Sequence, residues 1–227
     1  MQQKIQSRWD LFLLLSLLLV MLMYPVLNRG DFPRLILGAV LFTPLILATV
    51  KLSQIKAKVW PLVVLMSGAF VFAVIDRFSP HRLFTATKWG FLTVFFGLSV
   101  AGLFTYLKNS RSIKDAHLYT AVSIYLLLAM QWFALYSAID AVRPGAFIQS
   151  AAATADRQAE LLYFSLVTLS TVGYGDVVPL HSEVRILAAL EGVTGVLYIA
   201  ITVALLVSSY KQHGSASEVA EVTNEIR

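Results

Sequence analysis

At 227 residues, with 58% hydrophobic residues, only 14% charged and a mean hydropathy of +0.73, the chain lies well outside the composition of a water-soluble domain and reads as an integral membrane protein. The formal net charge of +5 does not imply a nucleic-acid partner, because the basic residues are scattered through short connections between apolar runs and form no single face. Cysteine is absent, which excludes disulfides, thiolate catalysis and cysteine-ligated metals, and the four histidines, His81, His117, His181 and His213, lie too far apart to suggest a metal site.

A helix needs about 17–25 predominantly apolar residues to cross the hydrocarbon core of a bilayer. In chain order, Leu11 to Leu27 is the first candidate. Lys4 and Arg8 precede it as they would a signal peptide, but the apolar run is longer than a usual signal core and no small-x-small cleavage site follows "MYPVLN", so a retained helix is expected. Leu35 to Val50 is shorter and contains Gly38 and Pro44; Val59 to Ile75, Trp89 to Leu107, His117 to Ile139 and Val184 to Tyr210 complete six candidate spans. The fourth, "WGFLTVFFGLSVAGLFTYL", contains no basic residue: Lys88 precedes it and Lys108 follows it. Asp10, Asp31 and Asp76 fall at the ends of spans one to three, so no buried acidic partner is expected in them.

Between the fifth and sixth spans lies a polar stretch, "DAVRPGAFIQSAAATADRQ", followed by Ala159 to Ser170, apolar but too short to cross and therefore expected to re-enter. With the N-terminus inside, the 18 basic residues divide 10 inside to 8 outside, which barely decides orientation; an even number of spans puts both termini on the same side. The 17 residues after Tyr210 are expected to form a short tail.

The re-entrant run leads into "TLSTVGYGD", residues 168 to 176. An ion crossing a bilayer must exchange its water for oxygens held at similar distances, because a bare charge in hydrocarbon is prohibitively costly. Backbone carbonyls of an ordinary extended strand alternate sides and cannot line a path; alternating right- and left-handed conformations aim successive carbonyls the same way. Left-handed geometry comes easily only to glycine, which is the physical reason for Gly173 and Gly175 on either side of Tyr174. The carbonyls of Thr171, Val172, Gly173 and Tyr174, with the Thr171 hydroxyl, would then form the oxygen layers.

"TLSTVGYGD" resembles the selectivity filter of potassium channels, T-x-[TS]-T-V-G-Y-G-D. The resemblance covers about Leu118 to Tyr210, since "EVRILAALEGVTGVLYIAITVALLVSSY" is similar to the inner helix of prokaryotic channels of the two-helix-pore class. It implies an all-α membrane protein of six transmembrane helices, with a re-entrant pore helix and filter between helices five and six. It also implies a homotetramer in the bilayer of the cell (inner) membrane, because one chain carries one filter strand and the pore needs four. Both termini would be cytoplasmic. Residues 1–115 would form a four-helix peripheral bundle, 116–210 the pore domain and 211–227 a short cytoplasmic tail. Potassium would be the permeant ion, bound at Thr171, Val172, Gly173 and Tyr174, with no cofactor and no enzymatic activity. Because the fourth span lacks a repeat of Arg or Lys at every third position, steep voltage gating is not expected. A weakly selective cation channel, a carrier subunit and a non-conducting channel subunit are the alternatives; proton, lipid, tension and leak modes of opening stay open.

The same resemblance assigns supporting residues. Tyr163 and Phe164 correspond to the aromatic pair of the pore helix, the first of which would hydrogen-bond Asp176 or else merely pack; Val167 stands where some channels place a glutamate. Thr168 completes the filter motif. Gly195, 19 residues after Asp176, occupies the position of a hinge glycine, or serves close helix packing. Val196, Ile199, Val203 and Val207 recur at spacings of three and four and by family position face the pore axis, as a dewetting gate or as a packing face. Glu191, a carboxylate inside the sixth span, is a candidate brace for the filter through Ser165, Thr168 or Ser170, held in its neutral form, or else an ion-paired group reaching Arg185.

Overall fold

The computed structural model describes residues 2–27, 34–55, 57–109, 115–149 and 156–225, with side chains described over 8–24, 41–55, 57–109, 117–148 and 156–207. Asp31 lies outside the described residues. Seven helices are found among them: α1 (Gln2–Leu27), α2 (Arg34–Gln54), α3 (Trp60–Phe78), α4 (Arg82–Asn109), α5 (Asp115–Val142), α6 (Arg157–Leu169) and α7 (Ser182–Glu225). Among the described residues, four stretches are long and apolar enough to cross a membrane: Trp60–Phe78, Arg82–Asn109, His117–Val142 and Ser182–Val207. The described apolar part of α2, Leu41–Gln54, is shorter than a span.

Helix ends depart from the apolar runs. α1 begins at Gln2, before the apolar residues start, and α7 continues to Glu225, beyond Tyr210. Apolar periodicity reports contact with lipid or core, whereas helicity needs only permissive backbone, and no proline interrupts 182–225. The chain is also not purely helical: β1 (Phe147–Gln149) pairs antiparallel with β2 (Val177–Pro179), Phe147 opposite Pro179 and Gln149 opposite Val177. This short ribbon joins the approach to α6 with the exit from 168–176, closing the whole insertion into one loop. The Leu180 N–H adds a bond to the Ala146 carbonyl at 2.8 Å.

α4 and α1 pack along α5, while α6 sits against α5 and α7. The buried face of α4, including Trp89, Phe95, Phe96, Leu103 and Leu107, meets this core, and Trp89 lies edge-on to Phe133 of α5. The opposite sides of α1 and α3 expose Leu15, Leu18, Leu22, Val64, Phe70 and Val71. Large apolar residues turned outward on long helices are what a hydrocarbon surround requires. At one end of the α3–α4 hairpin, the Asp76 carboxylate accepts from the Thr85 hydroxyl at 2.7 Å and from Lys88 Nζ at 3.0 Å.

The expectation of no buried acid in the first three helices is corrected by Asp10. Because α1 starts well before the apolar run, Asp10 lies inside the helix, 1% exposed, and meets Lys51 of α2, which is 0% exposed, at 2.5 Å. Thr120 of α5 donates to the same carboxylate at 3.0 Å, and the Lys51 ammonium lies over the Tyr106 ring of α4. Four helices therefore meet at one buried charge pair.

Candidate functional site

The 168–176 segment is built outward from α6. Asp156 caps that helix, its carboxylate accepting from the Gln158 and Ala159 amides. Arg157 fixes the same end to α5 through a two-pronged contact with Asp140, at 3.0 and 2.6 Å, and donates to the Phe147 carbonyl at 3.2 Å. The Ser137 hydroxyl of α5 adds a bond to Gln158 at 2.8 Å. Phe164 is buried, edge-on to Tyr136 of α5 and Phe147 of β1. The helix thus has its direction set from outside by charge and by aromatic packing.

At its other end the next residues fold back onto it. The Thr171 amide donates to the Thr168 carbonyl at 3.0 Å, and the Val172 and Gly173 amides both reach the Val167 carbonyl, at 3.0 and 3.4 Å. Last-turn carbonyls that would lack helical partners are thereby satisfied. Beyond this anchor the backbone alternates: φ is +60° at Thr171, +58° at Gly173 and +80° at Gly175, and these are the positive values within 168–176. The left-handed glycines follow the expectation from sequence, but left-handed Thr171 does not. A β-branched residue in that region costs about 1–2 kcal/mol, and the three amide bonds just named hold it there.

Beside this strand, the Tyr163 hydroxyl donates to Asp176 Oδ2 at 2.7 Å, and its ring lies parallel to that of Tyr174, with centroids 6.5 Å apart. The hydrogen bond to Asp176, followed by partial desolvation and the nearby negative charge, pushes the Tyr163 phenol up to about 12. Asp176 Oδ1 accepts from the Val177 amide at 3.1 Å. Residues 171–175 are exposed in the single chain, Tyr174 to 72%.

α7 passes behind α6. A Cβ on Gly192 would stand 3.7 Å from the Thr168 carbonyl oxygen, and one on Gly195 would overlap the carbonyl oxygen of Leu169. Gly195 therefore sits at a close approach of α7 to the end of α6, in an unbroken helix. Between these helices, Glu191 is 0% exposed: Ser165 bonds it at 2.6 Å and the Tyr136 hydroxyl at 2.7 Å. Thr168 and Ser170 are not its partners; the Ser170 hydroxyl bonds back to the Leu166 carbonyl at 2.7 Å. Arg185 is exposed, and no ion pair reaches Glu191 among the described residues. Val196, Ile199, Val203 and Val207 are each about half exposed in the single chain.

Sequence reasoning missed Tyr136, Asp140, Arg157 and left-handed Thr171. Asp140 and Arg157 had a signal, as opposite charges near the two ends of the polar stretch "DAVRPGAFIQSAAATADRQ"; Tyr136 had none, being one of many aromatics in an apolar helix. Among the described residues no group of three or more His, Asp or Glu could hold a metal ion.

Residues 113–212 match the Ion_trans_2 family model, described as an ion channel. No curated protein and no solved structure matches the chain. The matched segment, under half of the chain, contains α5, α6, the 168–176 segment and the membrane-length part of α7. Together with the long apolar helices, it supports a multi-pass membrane ion channel of the pore-loop superfamily and not an enzyme.

Proposed function

We propose that the chain is one subunit of a homotetrameric potassium-selective channel, with residues 171–175 as one of four filter strands. The observation that carries this reading is the positive φ at Thr171, Gly173 and Gly175. Alternation at every second residue turns successive carbonyls to one side, and four such strands about an axis would replace the hydration shell of potassium with carbonyl oxygens. Thr171 would add its hydroxyl as the innermost layer. No cofactor is required beyond the permeant ion.

Two further features support tetrameric assembly. Tyr174 and Val172 expose large apolar side chains beside the filter, where neighbouring subunits would cover them. The half-exposed stripe Val196, Ile199, Val203 and Val207 offers a second apolar face, which would line an inner cavity able to close by dewetting. We read Gly195 as a packing position for the pore helix, since even a methyl group there meets the Leu169 carbonyl. Six spans are assigned, residues 1–115 as a peripheral bundle that does not sense voltage steeply and 116–210 as the pore, with both termini and the 211–227 segment on the cytoplasmic side of the inner membrane.

Purified protein in planar bilayers under bi-ionic potassium and sodium tests the proposal. A reversal potential far from zero, with potassium favoured, is the expected result. A permeability ratio near unity makes it a weakly selective cation channel, and a monomer by cross-linking in membranes refutes the assembly.

A further inference from the structure

Four groups form a chain of short oxygen–oxygen contacts behind the filter: the Ala129 carbonyl of α5, the Ser165 hydroxyl of α6, the Glu191 carboxyl of α7 and the Tyr136 hydroxyl of α5. The separations are 2.8 Å from Ala129 to Ser165, 2.6 Å from Ser165 to Glu191 Oε1 and 2.7 Å from Glu191 Oε2 to Tyr136. Ser165, Glu191 and Tyr136 are each 0% exposed. Three oxygen pairs at these distances need three protons, because two oxygens so close without one between them repel. Ser165 and Tyr136 carry one proton each. Tyr136 spends its proton on Oε2. Ser165 can serve Ala129 or Glu191, but not both.

We infer that the third proton resides on Glu191: its Oε1–H donates to Ser165, Ser165 passes its own proton to the Ala129 carbonyl, and Tyr136 donates to Oε2. In this arrangement every short contact is a hydrogen bond with one donor and one acceptor. An ionised Glu191 would leave one contact without a proton and place a bare charge where no cation among the described residues pairs with it. The groups facing it are phenols and a hydroxyl, with Tyr125 and Tyr136 on α5 and Ser165 on α6. On its own helix Arg185 points to the exterior.

Glu191 is therefore a positioning residue, and Tyr136 its partner. Together they tie the inner helix to the pore helix within one turn of the Gly192 and Gly195 crossings, and tie both to the outer helix. The pore helix ends in the carbonyls that hold Thr171 in its left-handed conformation, so a clamp on Ser165 reaches the filter through four residues of rigid helix.

The proposal deepens the channel reading for its functional readout, but its central statement can be checked on protein that does not conduct. Infrared difference spectra of the full-length wild type and Glu191→Gln, reconstituted in lipid at neutral pH, should show a protonated-carboxyl band that the substitution removes. In single-channel recordings Glu191→Gln, whose amide donates to Ser165 and accepts from Tyr136, should keep open lifetimes within about twofold of wild type. Tyr136→Phe and Glu191→Leu should shorten them about tenfold, by loss of a buried hydrogen bond that leaves its partner unsatisfied. If Glu191→Leu does not assemble, the contrast between Glu191→Gln and Tyr136→Phe carries the test. Absence of the band, or damage by Glu191→Gln equal to that of Tyr136→Phe, overturns the neutral clamp. A band without any potassium current leaves the clamp standing and defeats the channel reading instead.

Discussion

Replacing Lys51 by methionine should be among the most damaging single changes outside residues 168–176, although Lys51 lies in α2, far along the chain from that segment. The methionine side chain fills nearly the same volume, so the perturbation is electrostatic: Asp10, 1% exposed, loses an ammonium 2.5 Å away and is left with the Thr120 hydroxyl at 3.0 Å and the weaker electrostatic support of His117. Breaking a buried pair by removing one partner costs about 3–5 kcal/mol, because the remaining charge is left uncompensated. For a chain of this size that corresponds to a drop of roughly 10 °C in unfolding temperature. Substituting both partners, Asp10→Asn with Lys51→Met, removes the charge problem while Thr120 can still donate to the amide carbonyl, so most of the loss should be recovered. Thermal unfolding of purified protein in one detergent, followed by intrinsic tryptophan fluorescence, measures all three variants and the Asp10→Asn single. A double variant no more stable than Lys51→Met, or a Lys51→Met unfolding within about 2 °C of wild type, a shift of only about 1 kcal/mol or less, would show that the pair does not bear on stability as its burial implies.

Gly173→Ala should abolish potassium current while leaving assembly intact: within the single chain the added Cβ meets nothing within 4 Å beyond its neighbours in sequence, so the obstacle there is φ +58°, and normal conduction would refute the backbone account of the proposed filter. Gly195→Ala should separate α7 from α6, since its Cβ meets the Leu169 carbonyl, and should lower both unfolding temperature and open probability; a wild-type melting curve would argue that the helices do not approach so closely in the membrane. Tyr163→Phe removes the 2.7 Å bond to Asp176 and should speed entry into a non-conducting filter state about fivefold, as for one hydrogen bond of about 1 kcal/mol, read from the decay of macroscopic current. Conductance should vary only shallowly with voltage, because the spanning part of α4 from Trp89 to Leu107 contains no Arg or Lys; a slope as steep as several charges per subunit produce would reassign the bundle.

The amino-acid sequence by itself determined what depends on neighbours along the chain. Runs of apolar residues located the long helices, the brevity of Ala159 to Ser170 marked α6 as a helix that does not span, and glycines at 173 and 175 announced left-handed backbone, because each is a property of a few consecutive residues and their solvent. Left-handed Thr171 was not legible: nothing in a threonine demands that conformation, and only the return of the strand onto the Val167 and Thr168 carbonyls imposes it. Nor were the buried polar contacts. Glu191 stood out as an acid inside an apolar run, yet its partner Tyr136 lies 55 positions away and Ser165 lies 26 away, while Asp10 meets Thr120 across 110 positions. A buried charge or hydroxyl must find a partner wherever the packed helices place one, and that choice is made by which helix faces meet, so only the tertiary structure decided it.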